Sequence, residues 1–359
     1  MPDRARILTV LRRARDMCLR PWTRSRPQPA AAGRPQSGPR RAGPGQPQHA
    51  GPGEHITMPV IGGRILRVAM REGNPACQPL LLCNGFGASL EMLQPFVDAL
   101  DPRRAIIRFD MPGLGGSPAP VLPYHLATTP LLSGILDQLG YQQADVLGIS
   151  WGGGLAQQFA LRCPARVRRL VLVATAPGAL MVPGSPRILL RMLTPRRHQD
   201  PGYAARLAGE LFGGSTREDS SSARDLLRAV TRPGPARGSF YQLISLAGWT
   251  SLPRLPRLRR PALILAGDDD PIIPLANARI MHRLMPRSEL HIYHGGHLDL
   301  VLEAEQMAAI VESFLTAGND PQPGAAHHEA DRPRRSNAAL RRVRAGRATG
   351  HAAAGPPGN

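Results

Sequence analysis

Six short runs in this chain are apolar on consecutive residues rather than alternate ones: "PLLLCNG", "RAIIRFDMPG", "ADVLGIS", "RLVLVATA", "PALILAG" and, less strictly, "ELHIYHGG". A strand with one wet face alternates apolar and polar side chains, whereas a strand apolar throughout must be covered on both faces. Helical patterns fall between the runs, at "LEMLQPFVDAL", "TTPLLSGILDQLG", "GGLAQQFALRC", "PLANARIMHRLM" and "AEQMAAIVESFL". This βα repetition predicts a mostly parallel, doubly wound sheet of the α/β class. Ahead of it, "HITMPV" and "RILRVAMR" flank Gly62 and Gly63 and read as an antiparallel hairpin.

One interval breaks the rhythm. Residues 177–260 contain no buried-strand run but carry "PRILLRMLTPRR", "AARLAGELF", "SARDLLRAV" and "YQLISLAGW". So long a stretch is not a loop in a compact domain. It predicts a helical cap inserted between core segments 55–176 and 261–318. Residues 1–54 and 319–359 are rich in Pro, Gly, Ala and Gln and read as disordered extensions.

The formal charge of +19 comes entirely from arginine and sits largely in those extensions, which carry net +8 and +4. With few aromatics to stack bases, the basic ends do not make a nucleic-acid-binding surface, and no nucleic-acid partner is expected. The N-terminal "ILTVLRRARDMCLRPW" is too interrupted by charge for a secretory signal, and no segment reaches the length of a membrane span. The four cysteines show neither CxxC spacing nor disulfide density. A soluble, cytoplasmic protein is expected, with its oligomeric state left open.

Chemistry concentrates at Gly148-Ile149-Ser150-Trp151-Gly152. Several glycines near the first turn of a helix cost about 1 kcal/mol each relative to alanine, so the backbone there answers to something other than helix stability. G-x-S-x-G between a buried strand and a helix is the sharp turn that exposes a serine hydroxyl. A serine needs a base, and the base an orienting acid. In this setting the chain order is Ser, then Asp or Glu, then His.

"AGDDDPIIP" supplies the acid at the end of a strand. Asp270, set in extended or turn backbone by Pro271, is the expected choice, with Asp268 and Asp269 making turn or N-cap bonds. Asp110 in "FDMPGLGGS" reads as a loop-shaping residue and stays an outsider for the acid role. "ELHIYHGGHLDL" offers His291, His294 and His297. His297, after two glycines and opening the last helix, is the expected base, and His294 is the alternative. His125 and His198 read as structural or surface residues. The oxyanion of a tetrahedral intermediate needs backbone donors, expected at the Trp151 and Phe86 amides, the latter in "CNGFGAS". No metal-ligand spacing and no phosphate-binding loop occurs, so neither metal nor cofactor is expected.

From about His55 to Leu315 these residues together resemble the α/β-hydrolase superfamily. Within it, the chain is similar to the intracellular depolymerases of medium-chain-length poly(3-hydroxyalkanoates). The likeness runs through "PLLLCNGFGASLEMLQPFVDALDP", "GISWGGGLAQQFA", "LVLVATAPGALMVPGSP", "GWTSLPRLPRLRRPALILAGDDDPIIPLANARIM" and "GGHLDL". It is weakest over Gly213 to Gly238. The resemblance implies a Ser150–Asp270–His297 triad, a cap over 177–260, an acyl-enzyme route and a hydrophobic polyester substrate, with the storage-granule surface as a further partner. Met181, Leu189, Leu190, Leu193, Leu243 and Trp249 would then form the apolar entry. The rival readings are an esterase or lipase acting on small or glycerol esters, and a granule-binding protein without catalysis.

Overall fold

The structure, a computed structural model, describes residues 53–118, 129–192, 207–218, 221, 236–245 and 248–317. The strands are β1 (Glu54–Thr57), β2 (Val60–Ile61), β3 (Arg64–Ile65), β4 (Val68–Arg71), β5 (Leu80–Cys83), β6 (Ile106–Phe109), β7 (Ala144–Ile149), β8 (Val167–Val173), β9 (Ala262–Gly267) and β10 (Ser288–Tyr293). Eight of them form one sheet in the order β1-β4-β6-β5-β7-β8-β9-β10. From β6 to β10 the neighbours are parallel, while β4 runs antiparallel to both β6 and β1. Six consecutive-apolar runs thus become six parallel strands.

The faces explain the pattern. Leu81, Cys83, Val146, Leu170, Leu172 and Ile264 point to one side of the sheet, and Leu80, Leu82, Leu147, Val171, Val173 and Leu265 to the other. Helices α2 (Thr129–Gln138), α3 (Trp151–Arg162) and α8 (Leu275–Leu284) cover the first side with Leu132, Phe159 and Met281. Helices α1 (Gln94–Ala99), α9 (Asp299–Leu302) and α10 (Ala304–Thr316) cover the second with Phe96, Leu300 and Val311.

Two expectations are refined. The hairpin at Gly62 and Gly63 forms, with φ of 57° and 74° suited to a two-residue primed turn, but it pairs only β2 with β3. The longer flanking segments continue as β1 and β4 in the main sheet. The boundary expected after residue 54 falls one residue inside β1. Glu54 is held in the fold because its carboxylate pairs with the buried Arg108 guanidinium.

Within the 177–260 interval the described residues form α4 (Pro186–Met192), α5 (Ala208–Phe212), α6 (Ser215–Glu218) and α7 (Ala236–Ser245), with one isolated bridge between Gly178 and Thr250. Leu193, His198 and the "SARDLLRAV" segment expected to be helical lie outside the described residues, as does His125.

Candidate active site

Ser150 stands between β7 and α3 with φ 54° and ψ −119°, backbone that a side chain other than glycine rarely adopts. Such a conformation costs about 1–3 kcal/mol and persists only where its surroundings fix it. They do so here. The Ser150 N–H donates to Val173 O at 2.9 Å, and its carbonyl accepts from Thr175 Oγ1 at 2.6 Å and from the Gly153 N–H at 3.0 Å. Gly152 is required by packing: a Cβ there would run into the Cys83 and Asn84 carbonyls at the end of β5.

His297 Nε2 lies 3.0 Å from Ser150 Oγ, and its Nδ1 lies 2.7 Å from Asp270 Oδ2. An ionised carboxylate only accepts, so Nδ1 carries the proton and Nε2 is left to accept from the serine hydroxyl. The other Asp270 oxygen accepts from the Ile272 and Ile273 N–H groups, each at 2.9 Å. Both side chains are buried, which shields the relay from water. The His297 N–H donates to Phe212 O at 2.7 Å, tying the histidine to the inserted interval. His297 does not open the last helix as expected. It precedes the short α9, and the helix is interrupted at Glu303 (φ −106°, ψ 44°) before α10 begins.

The other candidates separate cleanly. His294 is exposed and bonds Asp268 Oδ2 at 3.0 Å, and that bond holds the Asp268 carboxyl below the usual carboxylate range. His291 lies within β10. Asp269 accepts from the Gly214 N–H at 2.8 Å, one residue before α6, close to the capping role expected of it. Asp110 is fully buried and accepts from the Leu90 and Gly116 N–H groups, with Arg67 at 3.3 Å. Burial pushes its carboxyl above the usual range, and its bonds shape two loops, as expected.

Ser150 opens into a cavity of about 340 Å³ lined also by Phe86, Trp151, Thr175, Met181, Leu189, Leu243, Trp249, Ile272 and Ile273. Four of the six expected apolar contacts, Met181, Leu189, Leu243 and Trp249, are therefore in its wall, while Leu193 and the Leu190 side chain fall outside what the structure describes. Thr175, Ile272 and Ile273 were not anticipated. The two isoleucines follow the acid after Pro271 in "DDDPIIP", and that position was the available signal.

Trp151 is the first residue of α3, where an N–H has no acceptor within its own helix. The loop bearing Phe86 lies against the serine, since a Cβ on Gly85 would stand 3.8 Å from Ser150 Cβ. No group of three or more metal-ligating side chains occurs among the described residues.

A doubly wound sheet with a hydroxyl, an imidazole and a carboxylate in series at the strand ends defines an α/β hydrolase. Residues 78–304 match the family described as alpha/beta hydrolase fold. A poly(3-hydroxyalkanoate) depolymerase of Ectopseudomonas oleovorans is 46% identical over 251 residues, covering 70% of this chain and 88% of the relative. A 2-hydroxymuconate semialdehyde hydrolase of Pseudomonas putida is 30% identical over 201 residues, covering 51% of this chain and 66% of the relative. Among solved structures, a meta-cleavage product hydrolase from Pseudomonas fluorescens IP01 superposes with a TM-score of 0.63 at 23% identity, covering 73% of this chain and 98% of that one. The chain belongs to the α/β-hydrolase family, in its poly(3-hydroxyalkanoate) depolymerase branch, and is an ester hydrolase.

Proposed function

We propose that this chain hydrolyses the ester bonds of a medium-chain-length poly(3-hydroxyalkanoate), with Ser150, Asp270 and His297 as its catalytic triad. The observation that carries the reading is the Ser150–His297–Asp270 hydrogen-bond series facing an apolar cavity. The 46% identity to a poly(3-hydroxyalkanoate) depolymerase points to the polymer rather than to small esters.

In this mechanism His297 Nε2 takes the Ser150 proton as Oγ attacks the ester carbonyl. The Phe86 and Trp151 amides hold the oxyanion, and Asp270 stabilises the imidazolium. His297 then protonates the departing alkoxide, leaving an acyl-serine. Water, deprotonated by His297, attacks the acyl carbon, and Ser150 leaves with its proton restored. Met181, Leu189, Leu243, Trp249, Ile272 and Ile273 receive the alkyl side chain, as an apolar pocket with few polar groups would. The enzyme works in the cytoplasm at the granule surface.

The test is loss of turbidity from a suspension of the polymer, with wild type and Ser150→Ala side by side and p-nitrophenyl octanoate as the soluble control. Wild type clears the suspension, and the variant loses several orders of magnitude in rate on both substrates. Ester cleavage without clearing would move the substrate to small esters. Full activity in Ser150→Ala would end the serine mechanism.

A further inference from the structure

Gln242 is a polar residue on α7, yet its side chain is fully buried. A buried amide without partners costs several kcal/mol, so its partners show what it is there to hold. Its Oε1 accepts from the Gly87 N–H at 2.6 Å, and its Nε2 donates to the Gly85 carbonyl at 3.3 Å. Its own backbone carbonyl accepts from the Trp151 indole Nε1–H at 3.1 Å. One residue of the inserted interval thus bonds the loop around Phe86 and the Trp151 side chain at the start of α3, the two segments that carry the oxyanion donors named above.

The geometry goes further. The Gly85 carbonyl and the Phe86 N–H belong to a single peptide unit, and in a trans peptide they point in opposite directions. A donor that draws the carbonyl towards α7 therefore aims the Phe86 N–H away from α7. The second bond, to the Gly87 N–H, clamps the next peptide unit, so the segment around Phe86 cannot rotate as a hinge. The close approach of α7 to the core is built in elsewhere too, because Gly238 lies so near the Gly113 carbonyl that a Cβ would collide with it.

We infer that Gln242 is a positioning residue for the oxyanion site: its carboxamide fixes the orientation of the Gly85–Phe86 peptide and so makes transition-state stabilisation depend on α7. The inference rests on the assignment of the Phe86 amide to the oxyanion. It does not depend on whether the ester is polymeric.

The experiment measures kcat and KM on p-nitrophenyl octanoate for Gln242→Ala and Gln242→Met, with Ser150→Ala in parallel. It adds the affinity of a trifluoromethyl ketone of matching chain length, which forms a serine-bound oxyanion, against that of the plain methyl ketone. Losing one oxyanion donor outright costs more than misaiming one, so kcat falls by about ten- to a hundredfold. KM stays within about threefold, because the interaction is made only in the transition state. Trifluoromethyl ketone affinity falls in step with kcat/KM, whereas the methyl ketone binds as in wild type.

A merely structural role would lower the melting temperature without altering the ratio of the two ketones. Gln242→Met keeps the side-chain volume and supplies the same reading should the alanine variant lose its fold. The inference is overturned if both variants keep kcat within about twofold of wild type, or if the ketone ratio is unchanged. Retained activity in Ser150→Ala would instead remove the reading on which it stands. An inactive Ser150→Ala beside fully active Gln242 variants would remove this inference alone.

Discussion

At the scale of single residues, the candidate site depends on how tightly Asp270 is held. One carboxylate oxygen accepts two backbone N–H groups, and the other faces His297 Nδ1 at 2.7 Å. Replacing it with Asn retains the shape and substitutes an amide for an acceptor. If the amide N–H₂ faces the imidazole, Nδ1 must accept, so the proton moves to Nε2 and Ser150 loses its base. The Asp270→Asn variant is expected to fold as wild type and to lose about ten-thousandfold in kcat on p-nitrophenyl octanoate. Matching melting curves beside a fall of tenfold or less would mean that another group orients the histidine.

These residues were readable in the sequence because chain order and strand ends define them: a serine among glycines, an acid after one strand, a histidine after the next. Thr175 and Gln242 were not readable. Nothing local in "ATAPG" or "YQLIS" tells which atoms another segment brings near. Gln242 sits 155 residues from the Gly87 N–H it holds, and only the fold closes that distance.

At the scale of elements, the α3 helix does more than present its first residue. Gln157, buried on α3, accepts from Ser251 Oγ at 2.6 Å and donates to the Ala176 carbonyl at 3.2 Å. Its neighbour Gln158 accepts from the Trp249 indole at 3.0 Å. The helix behind the serine thereby fastens both ends of the inserted interval, where the chain leaves after β8 and where it returns before β9.

The apolar pattern of "GGLAQQFALRC" announces a helix against the sheet. The two glutamines inside it are the polar partners of a second covering layer. Removing Gln157 leaves the Ser251 hydroxyl and the Ala176 carbonyl short of a partner, which costs about 1–3 kcal/mol. Gln157→Leu is expected to lower the urea midpoint accordingly with the slope unchanged. Adding Ser251→Ala should recover part of the loss, since one stranded group is then gone. Strictly additive losses in the double variant would show that the two residues do not act together.

At the scale of the whole molecule, most of the charge and the candidate catalytic groups lie in different parts of the chain. Residues 1–52 and 318–359 hold 18 of the 45 basic residues against five acids, hence +13 of the formal +19. The central segment, 53–317, contains the whole sheet and every candidate catalytic group, and no helix among the described residues is long and apolar enough to cross a membrane. Attraction of the basic ends to a carboxylate-coated polymer particle acts across a Debye length of about 30 Å at 0.01 M salt and about 3 Å at 1 M. The full chain is therefore expected to adsorb strongly at low salt and to be released at high salt. A form restricted to residues 53–317 should adsorb less at low salt, change little with salt, and cleave p-nitrophenyl octanoate as the full chain does. Depletion from the supernatant, measured by sedimenting the particles at both salt concentrations, checks this. Equal adsorption of the two forms at low salt would assign surface binding to the central segment, where the exposed Leu180 and Val182 flank the cavity-lining Met181. Slower ester cleavage by the shortened form would show that the basic ends contribute to the chemistry as well as to adsorption.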